Sequence, residues 1–353
     1  MLGNLKILDF TTLLPGPYAT SVLNSMGASV TRVVAPGKSD LVLESGPKAA
    51  DGETANRKWL THNKDEIIVD LKTRSGVETI RRLIKEEYYN CIFEQFRPGV
   101  MEKFGLGYED IKEISPEMIY VSITGYGQYG EYRDKASHDI NYLALSGNMS
   151  YSGREDGGPV LYGMQIADIA ASQNAVIGTL AAHSRRMLDG RGARVDISIL
   201  DSVIPFNAMS GVGTMMSGEE PKREGTMLNG GSMYDFYETS DGQYMSVGAL
   251  EPKFWKRFCE VMGHEEWIEA GCVCDDFREK KEILRADFKK HTRDYWEEKF
   301  ENADACVEPV LSIEEALLKR PNAKARGSVI NTAEADGTEN GVWIYGNPIK
   351  FTR

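Results

Sequence analysis

The chain has 353 residues, of which 41% are hydrophobic and 27% charged, and its formal net charge is −12. This length exceeds one ordinary hydrophobic core and predicts a globular protein with two lobes. The acidic balance argues against a general nucleic-acid binder, which needs a basic face for phosphates. No run of about 18 apolar residues is present, so no membrane span is expected.

The N-terminus and the cysteines indicate the compartment. A strand-like run from Leu5 to Phe10 begins almost at Met1, so we expect no signal peptide and a cytoplasmic protein. An odd number of cysteines without a secretion signal indicates reduced thiols, namely Cys91, Cys259, Cys272, Cys274 and Cys306. Only one residue separates Cys272 from Cys274, which is too close for the usual zinc spacing, so no metal site is expected.

Strand and helix patterns alternate through the first 200 residues. The predicted strands are Leu5–Phe10, Ser29–Val34, Ile67–Leu71, Cys91–Phe96, Met118–Thr124 and Arg194–Leu200. The predicted helices are Pro17–Met26, Ser75–Glu87 and Asp168–Met187. Gly27 ends the first helix, since glycine readily adopts the left-handed conformation. The alternation predicts an α/β fold with a mostly parallel sheet covered by helices.

The pattern changes in the second half of the chain. From Met209 to Gly225 the sequence is rich in Gly and Met and loses its periodicity. Two strand signals, Tyr234–Thr239 and Gln243–Val247, flank the turn-like Ser240–Gly242 and predict a hairpin. The predicted organisation is a large domain over 1–205, a linker over 206–230, a small domain over 231–310 and a return to the large domain over 311–353.

Two segments that follow the strand ending at Thr124 could carry chemistry. Glycines between Gly125 and Gly130 could let a ligand approach the backbone, although a flexible loop explains them equally well. His138 could act as a base that Asp139 and Asn141 orient. The residues alone favour the alternative, a structural histidine in a loop.

Asp168 opens an alanine-rich helix behind a largely apolar stretch. One interpretation is a helix N-cap, a common use of aspartate. The chemical interpretation is a reactive carboxyl: apolar neighbours would raise its pKa, and free backbone N–H groups at the helix start could bind an oxyanion.

Several segments together resemble a known family. Three segments resemble the class III coenzyme A transferase superfamily, of the CaiB/BaiF type: Leu5–Gly37, Phe96–Ile111 and Ile123–Tyr132. Three further segments resemble the α-methylacyl-CoA racemase branch of this superfamily: Ser137–Gly147, Tyr237–Trp255 and His291–Ala316. The resemblance covers nearly the whole chain.

The resemblance implies a fold and a chemistry. The fold would be a Rossmann-like large domain with a second, smaller α+β domain, in an interlocked homodimer. The substrate would be an acyl-CoA, with no cofactor beyond the coenzyme A that is part of it and no nucleic-acid or membrane partner. His138 and Asp168 match the two catalytic acid/base groups. Glu251 matches a third catalytic residue, a glutamate that meets the active site from the small domain, in the partner subunit.

The resemblance also implies the contacts to coenzyme A, which are expected at Lys38, Leu60, Lys64, Arg97, Ser137, Asp139, Ile140, Asn141 and Tyr142. Racemases tend to carry an arginine where Ala35 stands, before Pro36 and Gly37. Lys38 would supply the missing charge to a phosphate, as a point charge without arginine's two-pronged geometry.

Three functions are compatible with these residues. The first is racemisation of a 2-methylacyl-CoA through an enolate. The second is transfer of coenzyme A between carboxylic acids with Asp168 as nucleophile, because Ile166–Ala170 resembles the transferase branch more than the racemases, which usually have glycines after the aspartate. The third is a non-catalytic acyl-CoA-binding protein, which the presence of all three catalytic residues disfavours.

Overall fold

The computed structural model describes residues 1–336 and 341–352, which divide into two compact units. Unit 1 contains residues 1–146 and 163–206 and the described part of 320–353. Unit 2 contains residues 147–162 and 207–319.

The helices and strands are numbered along the chain. The strands are β1 Lys6–Asp9, β2 Ser29–Val34, β3 Asp65–Ile68, β4 Cys91–Glu94, β5 Ile119–Thr124, β6 Ala193–Ser198, β7 Asp235–Glu238, β8 Tyr244–Val247, β9 Val307–Pro309, β10 Val329–Asn331 and β11 Trp343–Tyr345. The helices are α1 Pro15–Ser25, α2 Ala55–Leu60, α3 Arg74–Glu86, α4 Val100–Lys103, α5 Tyr108–Ile114, α6 Asp139–Leu145, α7 Ile166–Asp189, α8 Ile199–Val203, α9 Gly211–Ser217, α10 Pro252–Met262, α11 Phe277–Phe288, α12 Arg293–Phe300, α13 Pro321–Ala325 and α14 Thr332–Asp336.

Unit 1 is built on a six-stranded parallel sheet in the order β3-β2-β1-β4-β5-β6. The predicted parallel α/β sheet is therefore confirmed. The strands are short and rich in β-branched residues, and β4 and β5 are buried along their whole length, as expected for a sheet covered on both faces. A small antiparallel pair, β10 and β11, also belongs to this unit.

Helices pack on the sheet through faces that the sequence pattern predicts. In α3 the buried residues include Ile80 and Ile84, which are four positions apart. In α7 the buried face is mostly alanine, including Ala171 and Ala175, and small side chains let a long helix approach its neighbours closely. Gly27, with φ +100°, follows α1 as predicted, in the left-handed region that glycine tolerates. No helix among the described residues is long and apolar enough to cross a bilayer.

Unit 2 contains the antiparallel sheet β7-β8-β9 and an aromatic core. The predicted hairpin is confirmed, since β7 pairs with β8. The third strand, β9, was not predicted, because three residues are too few to give a periodic signal. Trp255, Phe258 and Phe288 are each completely buried and form the centre of this core.

The compact units differ from the predicted domain boundaries in three places. Residues 147–162 lie in unit 2, because Arg154 pairs with Asp235 at 2.6 Å and Tyr151 donates to Asn207 at 3.1 Å. The expected linker also lies in unit 2 from residue 207 on, and it contains the helix α9. Residues 311–319 remain in unit 2, where Arg293 forms a 2.7 Å ion pair with Glu315.

Candidate functional site

A cavity of about 460 Å³ opens at the carboxyl end of the parallel sheet in unit 1. Leu13 and Pro15 line it just after β1, and Gln95 and Arg97 line it just after β4. β1 and β4 are neighbours in the sheet, whereas β2 and β3 continue to one side and β5 and β6 to the other. The cavity therefore lies at the point where the strand order reverses, which is where open α/β sheets bind ligands.

The cavity brings together six of the predicted site residues. They are Arg97, Ser137, His138, Asn141, Tyr142 and Asp168. Two of the three predicted catalytic residues, His138 and Asp168, thus border one cavity although they belong to different helices.

Asp168 lies in the first turn of α7 and is partly buried. Burial raises the pKa of its carboxyl to about 7, and the nearby carboxylate of Asp139 adds to the increase. A carboxylate at a helix start is normally favoured by the helix dipole, so desolvation outweighs the dipole here. The predicted raised pKa agrees with this environment.

Asp139, another predicted coenzyme A contact, uses one carboxylate oxygen to hold the start of α7. Its Oδ1 accepts hydrogen bonds from the backbone N–H groups of Ala167 at 2.7 Å and Asp168 at 3.1 Å. Asp139 therefore caps α7 from a residue far away in sequence, and the N-cap interpretation of Asp168 is wrong. The same bonds occupy two N–H groups that were expected to bind an oxyanion.

His138 precedes α6, and its side chain is exposed at the cavity. Its backbone N–H donates to Asn141 Oδ1 at 3.0 Å. The expectation that Asp139 and Asn141 orient the imidazole is wrong, because both side chains hold backbone groups instead. Within residues 1–336 and 341–352, no hydrogen bond to the imidazole ring is present, so both of its nitrogens are available to a ligand.

Tyr142 closes one wall of the cavity. Its hydroxyl donates to the carbonyl oxygen of Ser137 at 3.2 Å, and burial raises its pKa to about 12. Gly125 makes room for this ring, since a Cβ there would lie 2.4 Å from the Tyr142 hydroxyl. The sequence analysis expected the glycines after β5 to make room for a ligand. At Gly125 the space is instead filled by the Tyr142 ring.

Lys64, one of the predicted coenzyme A contacts, does not border the cavity. Its side chain is completely buried, donates to Pro17 O and Thr20 Oγ1 at 2.8 Å, and lies 3.8 Å from Asp9 Oδ2. Desolvation lowers the pKa of Lys64 to about 8, against the opposing effect of Asp9. The ammonium group therefore holds α1 to the end of β1.

The remaining predicted contacts differ in exposure. Leu60 is completely buried, so its side chain is not available to a ligand either. Lys38 and Ile140 are exposed in unit 1 but do not border the cavity. Glu251 lies in unit 2, exposed, at the N-terminus of α10, where its carbonyl oxygen accepts from Phe254 and Trp255.

Two cations at the cavity were missed by the sequence analysis. Arg133 and Lys135 line it together with Arg97. They lie between two segments that resemble the family, Ile123–Tyr132 and Ser137–Gly147. Two basic residues just before a candidate catalytic histidine could have indicated a phosphate-binding site. Lys135 Nζ lies 3.5 Å from the ring centre of Tyr132, a cation–π arrangement. No group of three or more potential metal ligands occurs in the described part of the chain.

Comparisons with known proteins agree with this architecture. Over residues 2–353 the sequence matches the family described as CoA-transferase family III. It is 33% identical to the human α-methylacyl-CoA racemase over 338 residues, which cover 95% of this chain and 84% of the human protein. It is 30% identical to the succinate–glutarate CoA-transferase of Agrobacterium fabrum, over 96% of this chain and 86% of that enzyme.

A solved structure has the same fold. A CAIB/BAIF family protein from Brucella suis superposes with a TM-score of 0.84 at 26% identity, covering 99% of this chain and 92% of that one. The sequence match over residues 2–353 and the shared fold both identify the family of this chain. The chain belongs to CoA-transferase family III.

Proposed function

We propose that this protein moves the α-proton of a 2-methylacyl-CoA thioester through an enolate, as an α-methylacyl-CoA racemase would. The observation that carries the proposal is the Asp168 carboxyl, which has a pKa of about 7 and lines the same cavity as His138. A group that titrates near neutral pH both accepts and returns a proton readily. Racemisation needs two such groups, one for each face of one carbon.

The proposed steps are a removal and a return of one proton. One group takes the α-proton from one face, the C–H electron pair forms a C=C bond, and the carbonyl oxygen takes up the negative charge. The conjugate acid of the other group then protonates the opposite face. The thioester already acidifies the α-proton, so histidine and carboxylate suffice as acid/base groups.

The proposal extends to coenzyme A binding and assembly. Arg97, Arg133 and Lys135 would contact the phosphates, since guanidinium and ammonium groups suit phosphate oxygens. The chain would form an interlocked homodimer in which Glu251 serves the active site of the partner subunit. This part rests on the family resemblance.

Coenzyme A transfer is the second candidate. The segment Ile166–Ala170 and the transferase at 30% identity favour it. Asp168 would attack the thioester carbonyl and expel the coenzyme A thiolate, which leaves a mixed anhydride. The thiolate would then attack the Asp168 carbonyl and release the donor carboxylate, so that Asp168 carries the coenzyme A as a thioester until the acceptor carboxylate takes it over. Only the carboxylate form attacks, and a pKa of about 7 leaves the group largely protonated below neutral pH. A pKa near neutral therefore suits an acid/base group better than a nucleophile.

The third possibility, acyl-CoA binding without catalysis, does not account for a perturbed carboxyl in a cleft.

The test uses isobutyryl-CoA in deuterated water. Mass spectrometry of the recovered thioester should detect one deuterium at C2, and His138→Ala and Asp168→Asn should each slow the exchange by about 10²–10⁴-fold. Asp189→Asn, an exposed carboxyl at the far end of α7, is the matched control and should exchange like the wild type.

The competing reaction is measured on the same proteins with succinate as acceptor. A transferase would exchange no deuterium, form succinyl-CoA and accumulate an adduct at Asp168 that borohydride traps, with His138→Ala fully active. That result would replace the racemase proposal. Binding of isobutyryl-CoA with neither reaction would identify a non-catalytic binding protein.

A further inference from the structure

Thr124 carries a hydroxyl for which the fold supplies no partner. It is the last residue of β5 and is 7% exposed, and its Oγ1 makes no hydrogen bond to any residue in 1–336 or 341–352. Most buried polar side chains are hydrogen-bonded, because an unpaired one has lost its water without replacement. Such an exception at the carboxyl end of a parallel strand is a functional signal.

Thr124 borders the same cavity as His138 and Asp168. Thr124 Oγ1 has three staggered positions about χ1, and a change of rotamer can bring the hydroxyl to the cavity side of Cβ. The side chain can therefore present a donor to a bound molecule without any movement of the sheet.

The reaction needs a hydrogen-bond donor, and two N–H groups at the start of α7 are already engaged. Charge develops on the carbonyl oxygen when the enolate forms, and a positioned hydrogen-bond donor stabilises it. The N–H groups of Ala167 and Asp168 already donate to Asp139. Asn141 also borders the cavity, but it is exposed to water, and a sheltered donor stabilises charge more strongly.

We infer that the Thr124 hydroxyl binds the carbonyl oxygen of the acyl-CoA thioester and stabilises the negative charge of the enolate. The inference rests on the proposed binding of an acyl-CoA in this cavity. The hydroxyl keeps its proton throughout, since it donates a hydrogen bond and transfers nothing.

The binding test compares isobutyryl-CoA with S-isobutyl coenzyme A, which lacks only the carbonyl oxygen. The wild type should bind the thioester more tightly than the thioether by roughly 2- to 10-fold. Thr124→Val, which keeps the shape, should lose this preference, and Thr124→Ser should keep it. Ser122→Ala removes a hydroxyl from the same strand that does not border the cavity, and it should behave like the wild type.

The kinetic test follows deuterium exchange into isobutyryl-CoA. Thr124→Val should slow the exchange by about 10²–10³-fold, the usual effect of losing one oxyanion donor, and Thr124→Ser should restore most of it. The melting temperature of Thr124→Val should equal or exceed that of the wild type, because the lost hydroxyl has no partner in the fold. If Thr124 were needed only for folding, Thr124→Val would melt at a lower temperature than the wild type.

The outcomes separate this inference from the proposed function. If the wild type exchanges deuterium and Thr124→Val exchanges equally fast, the donor role is wrong and the racemase proposal stands. If no exchange occurs but the thioester preference depends on Thr124, the hydroxyl binds the thioester carbonyl, whereas the enolate role and the racemase proposal both fail. A wild type without any thioester preference, or a preference lost only in Asn141→Ala, overturns the inference.

Discussion

At the scale of single residues, Asp139 adds to the rise in the pKa of Asp168 that burial causes. Asp139→Asn keeps an oxygen for the two N–H groups at the start of α7 but removes the negative charge. That charge raises the pKa of Asp168, so the pKa should fall and the acid limb of the rate–pH profile should move to lower pH. The measurement is kcat/KM for deuterium exchange between pH 5 and 8.

The alanine variant separates charge from capping. Asp139→Ala also leaves two N–H groups without an acceptor and should lower the stability of the protein by about 1 kcal/mol. Asp139→Asn should not. An unchanged acid limb in Asp139→Asn would mean that this carboxylate does not influence Asp168.

Lys64 has a structural role that changes the expected effect of its replacement. Lys64→Met leaves the buried carboxylate of Asp9 without its cation and should lower the free energy of unfolding by about 3–5 kcal/mol. The coenzyme A affinity of the folded variant, measured by calorimetry, should stay unchanged. Lys38→Met at an exposed lysine is the control for stability and should change it by less than about 0.5 kcal/mol. A stable Lys64→Met variant with weakened coenzyme A binding would restore the original assignment.

Arg97 is the predicted coenzyme A contact that does border the cavity. Arg97→Ala should weaken coenzyme A binding by roughly 1.5–3 kcal/mol if one charge-assisted contact to a phosphate is lost. The affinity should fall less steeply with salt than in the wild type, because one charge no longer contributes. Arg191→Ala, an exposed arginine that follows α7, is the control; equal affinities in both variants would contradict the contact.

At the scale of elements, the first turn of α7 trades stability for reactivity. The folded-state pKa of Asp168, about 7, is above its ordinary value of 3.8, so the folded protein holds this proton more tightly than the unfolded chain. The carboxyl's contribution to stability is therefore lost progressively as pH rises from about 4 to 7, and the deficit is constant above that range.

Asp168→Asn tests this sign. The amide cannot ionise, so at pH 8 the variant should melt at a higher temperature than the wild type, and the difference should shrink as pH approaches 4. Asp189→Asn provides the comparison at the other end of α7. A variant that is less stable than the wild type at pH 8 would show that Asp168 is held by favourable contacts as a carboxylate.

At the scale of the whole molecule, the apolar side chains of α9 predict association. Met215 and Met216 are 80% and 85% exposed, in the segment where the resemblance implies that two chains interlock. Exposed apolar groups of this kind commonly mark an interface. We expect an obligate homodimer in which dissociation and unfolding occur together.

Sedimentation measures this directly. The wild type should sediment as a dimer at low micromolar concentration, and the double variant Met215→Glu, Met216→Glu should dissociate or unfold. A folded wild-type monomer at that concentration would refute the obligate dimer.

The order of the elements and the parallel sheet could be predicted from the sequence pattern alone. Alternating strand and helix patterns and the glycine after α1 depend on neighbours within a few residues, and all six strands of the main sheet lie within two residues of their predicted starts. The proposal of His138 and Asp168 as the acid/base pair also came from the sequence, through family motifs. Neither periodicity nor spacing would have selected them.

Which charged groups face the cavity depends on contacts that form only when the chain folds. Lys64 is buried because Pro17, Thr20 and Asp9, more than 40 residues earlier, surround its ammonium group. Asp139 caps α7 across 28 residues and thereby occupies two N–H groups that were expected to bind an oxyanion. A local pattern fixes the direction of the backbone and the side of an element that is apolar. Desolvation and pairing of a polar group depend on chain segments that only folding brings together.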